Sequence, residues 1–332
     1  MIEPKITIIV PAYNEEKNIK FLLHSLVDLD YKNYKIIVVV DSKTNDDTYK
    51  KVEQFSLTQD AIKLIQNTKN GSAANRNRGF KESEKDTEYY AFTDGDCIVD
   101  KNWLKILVNT MDHSPENTIC VGGINPIPKT DSKTSRLFAE IEKTLLGAGG
   151  TAQTKILKQI TEVNSIPNCN ALYKKKAWEG NKQDESLIVG QDGEFNHRLH
   201  QKGGRFFINP NAIVLHHRPD SLKKQLRKFF KYGEASSKIL KKQKNKIQFI
   251  KKRWYGFLPL IYFSSILISI ILSLINELFL KFAIIGLGLY PIAITLTAIK
   301  IGTSFKKLNA IKSLWIIPLQ HLSYTLGIIK GL

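Results

Sequence analysis

Three acidic clusters stand where apolar runs give way to polar sequence: Asp41, the pair Asp94 and Asp96, and the pair Asp192 and Glu194. In Asp94-Gly95-Asp96 the carboxylates fall at i and i+2 of an extended segment, so both point to one side. Glycine between them lets a bulky ligand approach the backbone. Hard oxygen ligands of this kind suit Mg2+ or Mn2+ holding a diphosphate and do not suit zinc. The competing reading is an ordinary turn after a strand. Asp192 opens a predicted helix over Gln191–Lys202, where the helix dipole favours the ionised carboxylate. Such a group beside a hydroxyl takes its proton as a bond to carbon forms. Read plainly, Asp192 is a helix N-terminal acid, and Glu194 with Arg198 is an i,i+4 surface pair. His216 and His217 end the apolar strand Ala212–Leu215 and either approach the metal or diphosphate or stand as surface residues.

The elements that must position these groups alternate. Ile6–Val10, Ile36–Val40, Ile62–Ile65, Tyr89–Thr93 and Ile119–Gly122 are short apolar runs that read as strands. Between them, Ile19, Leu22, Leu23, Leu26 and Leu29 form a one-sided helical stripe, Ala73–Ser83 is a second helix, and Asn102–Met111 a third, capped by Asp100. Strand–helix units of about 30 residues imply an α/β fold with a mostly parallel sheet and helices on both faces. Ligands of such sheets bind beyond the carboxyl ends of the strands.

The 332 residues carry a formal charge of +18, but unevenly. Residues 1–220 hold 30 Lys+Arg against 29 Asp+Glu, whereas residues 221–253 hold 13 against one. A neutral body joined to a basic collar is not the charge pattern of a nucleic-acid groove binder. The collar is a basic amphipathic segment, with Leu222, Leu226, Phe229 and Phe230 on one side, expected to lie on membrane lipids in its first half. Its second half, Lys238–Lys246, reads as a linker. Residues 254–276 are uncharged, as are 282–299, and a third apolar run covers 312–330. These predict three transmembrane helices, 254–276, 280–300 and 312–330. Basic flanks place the N-terminal region in the cytoplasm of a multi-pass cell-membrane protein. The expected domains are therefore 1–220, 221–253 and 254–332. Cys97, Cys120 and Cys169 are too scattered for a disulfide framework and read as small buried residues of a reducing compartment.

Several motifs occur in order: Val10-Pro11-Ala12-Tyr13-Asn14-Glu15, the loop Asp41–Thr48, Arg76-Asn77-Arg78-Gly79, Asp94-Gly95-Asp96 and Gln191-Asp192-Gly193-Glu194 with Arg198 and Gly203. With His216-His217-Arg218-Pro219 and Phe230-Lys231-Tyr232-Gly233, the chain resembles glycosyltransferase family 2 over residues 5–235, in particular membrane-anchored members that build lipid-linked or exported glycans. The resemblance implies the GT-A fold, a nucleotide-sugar donor, Mn2+ or Mg2+, and inversion at the anomeric carbon. Carried over, Pro11, Tyr13 and Glu15 line the nucleotide pocket, Asp41 bonds the base, Arg76 faces the diphosphate or sugar, and Asp94 contacts ribose or sugar. Asp96 holds the metal, and Asp192 is the general base. Asn168, Asn170, Gln191, Glu194 and Arg198 fall on the acceptor or donor-sugar side. The expected donor is a UDP-sugar first and a GDP-sugar second, and the acceptor is polyprenyl-linked. The rival expectations are a polyprenyl-phosphate acceptor and a non-catalytic nucleotide-sugar-binding scaffold. Position 191 is Gln where the family has Glu. The processive Gln-x-x-Arg-Trp motif survives only as Gln225-Leu226-Arg227-Lys228-Phe229, so transfer of a single sugar is expected.

Overall fold

Apolar runs in the N-terminal half pair as parallel strands, as runs covered on both faces should. The computed structural model describes residues 3–148, 157–243, 246–252, 254–304 and 310–332. Its strands are β1 (Ile6–Ala12), β2 (Tyr34–Val40), β3 (Ile62–Gln66), β4 (Tyr89–Phe92), β5 (Cys97–Val99), β6 (Thr118–Ile124), β7 (Thr161–Val163), β8 (Ala171–Lys174) and β9 (Arg205–His216). The helices are α1 (Ile19–Val27), α2 (Thr48–Ser56), α3 (Ser72–Lys81), α4 (Trp103–Asp112), α5 (Lys133–Glu142), α6 (Leu145–Ala148) and α7 (Gln191–Gln201). They continue with α8 (Leu222–Lys242), α9 (Lys246–Lys252), α10 (Leu258–Leu272), α11 (Leu278–Ser304) and α12 (Ser313–Gly331). The chain divides into two compact units, Met1–Lys129 with Ile156–His217, and Thr130–Lys155 with Arg218–Leu332. The segment from Thr130 belongs with the second unit.

In the first unit the sheet order is β3-β2-β1-β4-β8-β6-β9-β5, with β7 on β9. β3, β2, β1 and β4 are parallel neighbours. Beyond β4 the sheet is mixed: β6 and β9 are parallel neighbours, β8 runs antiparallel to β4 and β6, and β5 and β7 run antiparallel to β9. The strands β5, β7 and β8 are only three or four residues long and are joined by loops, which do not impose the direction that a crossover helix does. The α1 stripe Ile19, Leu22, Leu23 and Leu26 is buried against a core of Ile8, Val10, Val38, Val40, Trp103 and Leu107. Asp100 does not cap α4 in the expected way. Its Oδ1 accepts from the Asn102 N–H at 2.9 Å, a turn that leads into the helix at Trp103.

Register decides where the chemistry falls. Ala12 pairs with Val40, and Ile9 with Phe92, so Tyr13, Asp41 and Asp94 follow the carboxyl ends of three adjacent parallel strands. The chain runs outward from β1 through β2 to β3 and then returns to place β4 on the other side of β1, a reversal of strand order that opens a ligand crevice.

In the second unit α5 buries Leu137, Phe138 and Ile141 with Ile294 and Ile301 of α11 and Ile316 and Ile317 of α12. That packing is why the Thr130 segment joins this unit. α8 continues through Lys242, so the expected linker is helical in its first part, and residues 244–245 lie outside the described ones. The side of α8 carrying Gln225, Phe229, Gly233 and Ser237 is buried. α12 runs beside it in the same direction: the Leu226 carbonyl accepts from Ser323 Oγ at 2.7 Å, and Ser237 Oγ donates to the Ile328 carbonyl at 2.8 Å. A Cβ at Gly233 would strike the Tyr324 carbonyl, and one at Gly327 the Phe230 carbonyl, so glycine permits the close approach of the two backbones.

Gln225 and Lys228 point inward to Glu142 of α5, at 3.2 and 2.6 Å, and Arg218 Nε lies 3.3 Å from the same carboxylate. Burial opposes ionisation of Glu142, but the Lys228 and Arg218 charges outweigh it and hold the carboxyl below its usual range.

Two helices are long and apolar enough to cross a membrane, Trp254–Leu272 and Leu278–Thr303, and most of their apolar side chains are exposed. The third expected span corresponds to α12, which differs in kind. It buries Ser313, Gln320 and Thr325 and packs along the basic α8, and it is less apolar than the other two helices.

Candidate active site

α3 ties the acidic clusters of the first unit together. Its entry residue Gly71, at φ 101°, donates its N–H to Asp41 Oδ2 at 2.5 Å, while Asp41 Oδ1 accepts from the Lys43 N–H at 2.9 Å. Ser72 accepts at Oγ from the side-chain amide of Gln191, at the start of α7. One turn on, Arg76 is buried and places NH2 2.5 Å from Asp94 Oδ1. One helical turn therefore joins the ends of β2 and β4 and the N-terminus of α7.

The loop after β1 is braced from the other side. Thr48 Oγ1 accepts from the Glu15 N–H at 2.7 Å, Asn14 Oδ1 accepts from the Asn45 N–H at 3.0 Å, and Asn14 itself is left-handed at φ 54°. Pro11 is buried in β1, and Tyr13, 53% exposed, stands open at the crevice. Sequence reasoning did not single out Thr48 or Asn14 individually; Asp46, whose Oδ2 accepts from the Glu16 N–H at 3.1 Å, belongs to the same brace.

At the end of β4 three carboxyl groups and an imidazole converge. His216 Nε2 lies 3.4 Å from Asp96 Oδ1, because β5 and β9 pair Cys97 with His216. Burial would lower the His216 imidazole, but the Asp96 carboxylate, with Cys169, carries it up to about 10. Burial likewise works against ionised Asp96, and His216 reverses this and holds it below its usual value. Glu15 is left crowded: burial, then the Asp96 and Asp94 carboxylates, push its carboxyl up to about 8. His217 meets Asp96 through its backbone, its N–H 3.4 Å from the Asp96 carbonyl. Asp96, Cys97 and His216 offer ligand atoms within 4.8 Å of one another. Burial pushes the Cys97 thiol well above its ordinary value, so it stays protonated. The Asp96 carboxylate, with His216 once its ring gives up a proton, would hold a divalent cation here.

The acceptor-side residues divide. Asp192 stands in the first turn of α7 behind the left-handed Gly190, φ 77°, and its Oδ1 accepts from the Gly193 N–H at 2.7 Å. Glu194 and Arg198 form the i,i+4 pair at 2.6 Å, and Arg198 also donates to the Lys182 carbonyl at 2.6 Å. Asn170 is part of the framework: Oδ1 accepts from the Trp103 indole at 2.8 Å, and its amide donates to the Ile124 and Ala212 carbonyls at 3.1 and 3.0 Å. Asn168 is 2% exposed and keeps one amide atom without a partner.

A parallel-to-mixed sheet with carboxylates gathered at its switch point defines a GT-A transferase. The chain belongs to glycosyl transferase family 2, whose sequence model matches residues 7–180. It is 24% identical over 253 residues to a dolichyl N-acetyl-alpha-D-glucosaminyl phosphate 3-beta-D-2,3-diacetamido-2,3-dideoxy-beta-D-glucuronosyltransferase of Methanococcus voltae, covering 71% of this chain and 74% of that one. With glycosyltransferase AglE of Haloferax volcanii it shares 36% over 110 residues, covering 32% of this chain and 36% of the relative. A probable glycosyltransferase of Bacillus subtilis, YdaM, is 24% identical over 97% of this chain and 80% of its own length. Among solved structures, the mannosyltransferase PcManGT of Pyrobaculum calidifontis, in complex with GDP-Man and Mn2+, shares the fold at a TM-score of 0.62 and 16% identity, covering 99% of this chain and 87% of that one. S. aureus TarS 1–349 with UDP matches at a TM-score of 0.50 and 20% identity, and the match covers 71% of this chain and 64% of that one.

Proposed function

We propose that this glycosyltransferase moves one sugar from a nucleotide donor, a UDP-sugar in the first place, to a polyprenyl-linked acceptor at the cytoplasmic membrane face. The observation that carries the reading is the convergence of Asp96, His216, Asp94 and Glu15 at the end of β4, held to Arg76. Asp96 and His216 would hold a divalent cation there, with Asp94 and Glu15 beside it. A cation bound there supplies positive charge for the departing diphosphate oxygen. Asp41 and Tyr13 face the nucleoside, and Arg76 faces the diphosphate. The acceptor oxygen forms a bond to the anomeric carbon from the side opposite the leaving group, and the bond from that carbon to the phosphate oxygen breaks. Its electron pair leaves with the nucleoside diphosphate. Asp192 takes the acceptor hydroxyl's proton.

The relative from Methanococcus voltae is named for an acceptor that already carries a sugar, which supports a hydroxyl acceptor over a bare polyprenyl phosphate. α10 and α11 support attachment to a membrane, and the basic flanks support a cytoplasmic first unit. The test incubates membranes with a panel of UDP- and GDP-sugars and Mn2+, and reads lipid extracts by mass spectrometry. We expect a mass increase of a single sugar on a polyprenyl-linked species. Donor binding without any lipid product overturns the reading in favour of a silent scaffold.

A further inference from the structure

Behind the acceptor side of the first unit lies a polar cluster that the transfer reaction leaves unused. Tyr173 of β8 is fully buried, its ring 5.7 Å from Phe92, 6.2 Å from Trp178 and 6.0 Å from Phe195. A purely apolar role would be filled by phenylalanine. Instead the hydroxyl lies 2.7 Å from Asn196 Oδ1 and 3.1 Å from Asn168 Oδ1, and the shorter contact takes its single proton. The side-chain nitrogen of Asn168 is buried without a hydrogen-bond partner.

Asn196 is spoken for on both sides: its amide donates to the Ile166 carbonyl at 2.6 Å and to Ser165 Oγ at 3.0 Å. Asn196 stands one turn after Asp192 on α7, so the two side chains share a helix face. These bonds join the base-bearing turn of α7, β8 and the 165–168 segment. Burial first, then the Cys120 thiol and the Asp192 carboxylate, push the Tyr173 phenol well above its ordinary value. The hydroxyl accordingly keeps its proton at working pH.

We propose that Tyr173, acting through Asn196, is a positioning residue for Asp192: it locks the first turns of α7 so that the carboxylate keeps its aim at the acceptor hydroxyl. This rests on Asp192 being the base. A network that served only folding would slow every form of the enzyme equally. One that aims a base matters only while the base is present.

The test is a double-mutant cycle on the detergent-solubilised full chain. It follows release of nucleoside diphosphate from UDP-N-acetylglucosamine or GDP-mannose, whichever turns over, with native lipid extract as acceptor. Tyr173→Phe keeps the ring and removes the hydroxyl. We expect kcat to fall by ~10–100-fold, the range of a small misplacement near the chemistry, with the donor KM unchanged. In an Asp192→Asn background the same change should alter the rate by less than about twofold, as for residues that act as a unit. An equal factor in both backgrounds, or a donor KM that rises in step, overturns the positioning role while leaving the base assignment standing. Wild-type rates for Asp192→Asn alone overturn the base assignment. If Tyr173→Phe does not fold, Asn196→Ala carries the same cycle, because it breaks the path one step closer to Asp192.

Discussion

Gly95 separates two carboxylates, but its bare backbone serves a third. A Cβ at this position would meet Glu15 Cγ at 2.7 Å, so the side chain that approaches is the protein's own. We expect Gly95→Ala to leave the fold intact and to weaken Mn2+ binding, because Glu15 must swing away from Asp96; titration calorimetry against Mn2+ checks this, and unchanged affinity rejects it. Asp96→Ala should abolish transfer in a folded protein, and wild-type turnover in excess EDTA would falsify the metal assignment. Asp192→Asn should lower the initial rate with saturating donor by about 10²–10⁴-fold, the usual loss on removing a positioned base. A residual rate within about threefold of wild type would instead favour a phosphate acceptor, which has no proton to lose. The acidic clusters were legible in the sequence because carboxylates after apolar runs are a local pattern. The crowding of Glu15 on Gly95 and the capture of Asn170 by the Trp103 indole were not, since each joins residues far apart in the chain.

At the scale of elements, local periodicity reported α1, the leading parallel strands and the helical start of the collar. It failed where direction or partner depends on tertiary contacts. β7 and β8 carry too few residues to announce their direction, and nothing in α8 announces that α12 covers it. α5 was missed as a partner of α8 because the link is one carboxylate, Glu142, between two distant cations. Glu142→Gln keeps the shape and takes the carboxylate away from half-buried Lys228 and from Arg218. We expect a loss of about 1–3 kcal/mol, the range for a hydrogen bond to a charged group, read as a lower melting temperature in detergent. The pH dependence has a definite sign. A carboxyl held below its unfolded value stabilises the fold above that unfolded value, about 4.3, and loses the effect as pH falls through the folded one. Wild type and Glu142→Gln should therefore converge in acid. A gap that persists at low pH would mean that packing, and not charge, explains the difference.

On the scale of the molecule, we expect the α8–α12 pair to limit the number of membrane crossings to two. α8 precedes the two apolar helices and α12 follows them, yet the two lie side by side. Two crossings return the chain to the side it left, whereas a third would draw the lysines of α8 toward the bilayer core at a steep cost. We expect tags at the N-terminus and at Leu332 to report the same, cytoplasmic, side in protease-protection assays. Opposite sides would restore α12 as a span and require α8 to let go of it.

The same pair has a consequence for how the chain folds. Leu226 and Ser323 are 97 residues apart, and the chain between them includes the two helices long and apolar enough to cross a membrane. Contacts of such long sequence separation close late, because the loop entropy must be met before they form. If α10 and α11 enter a bilayer, Gly233 and the buried face of α8 await α12 until they have done so. In cell-free synthesis α8 should thus be cut readily by a brief pulse of protease when vesicles are absent, and become resistant when vesicles are present during translation. Equal resistance in both would mean that α12 finds α8 without the membrane's help.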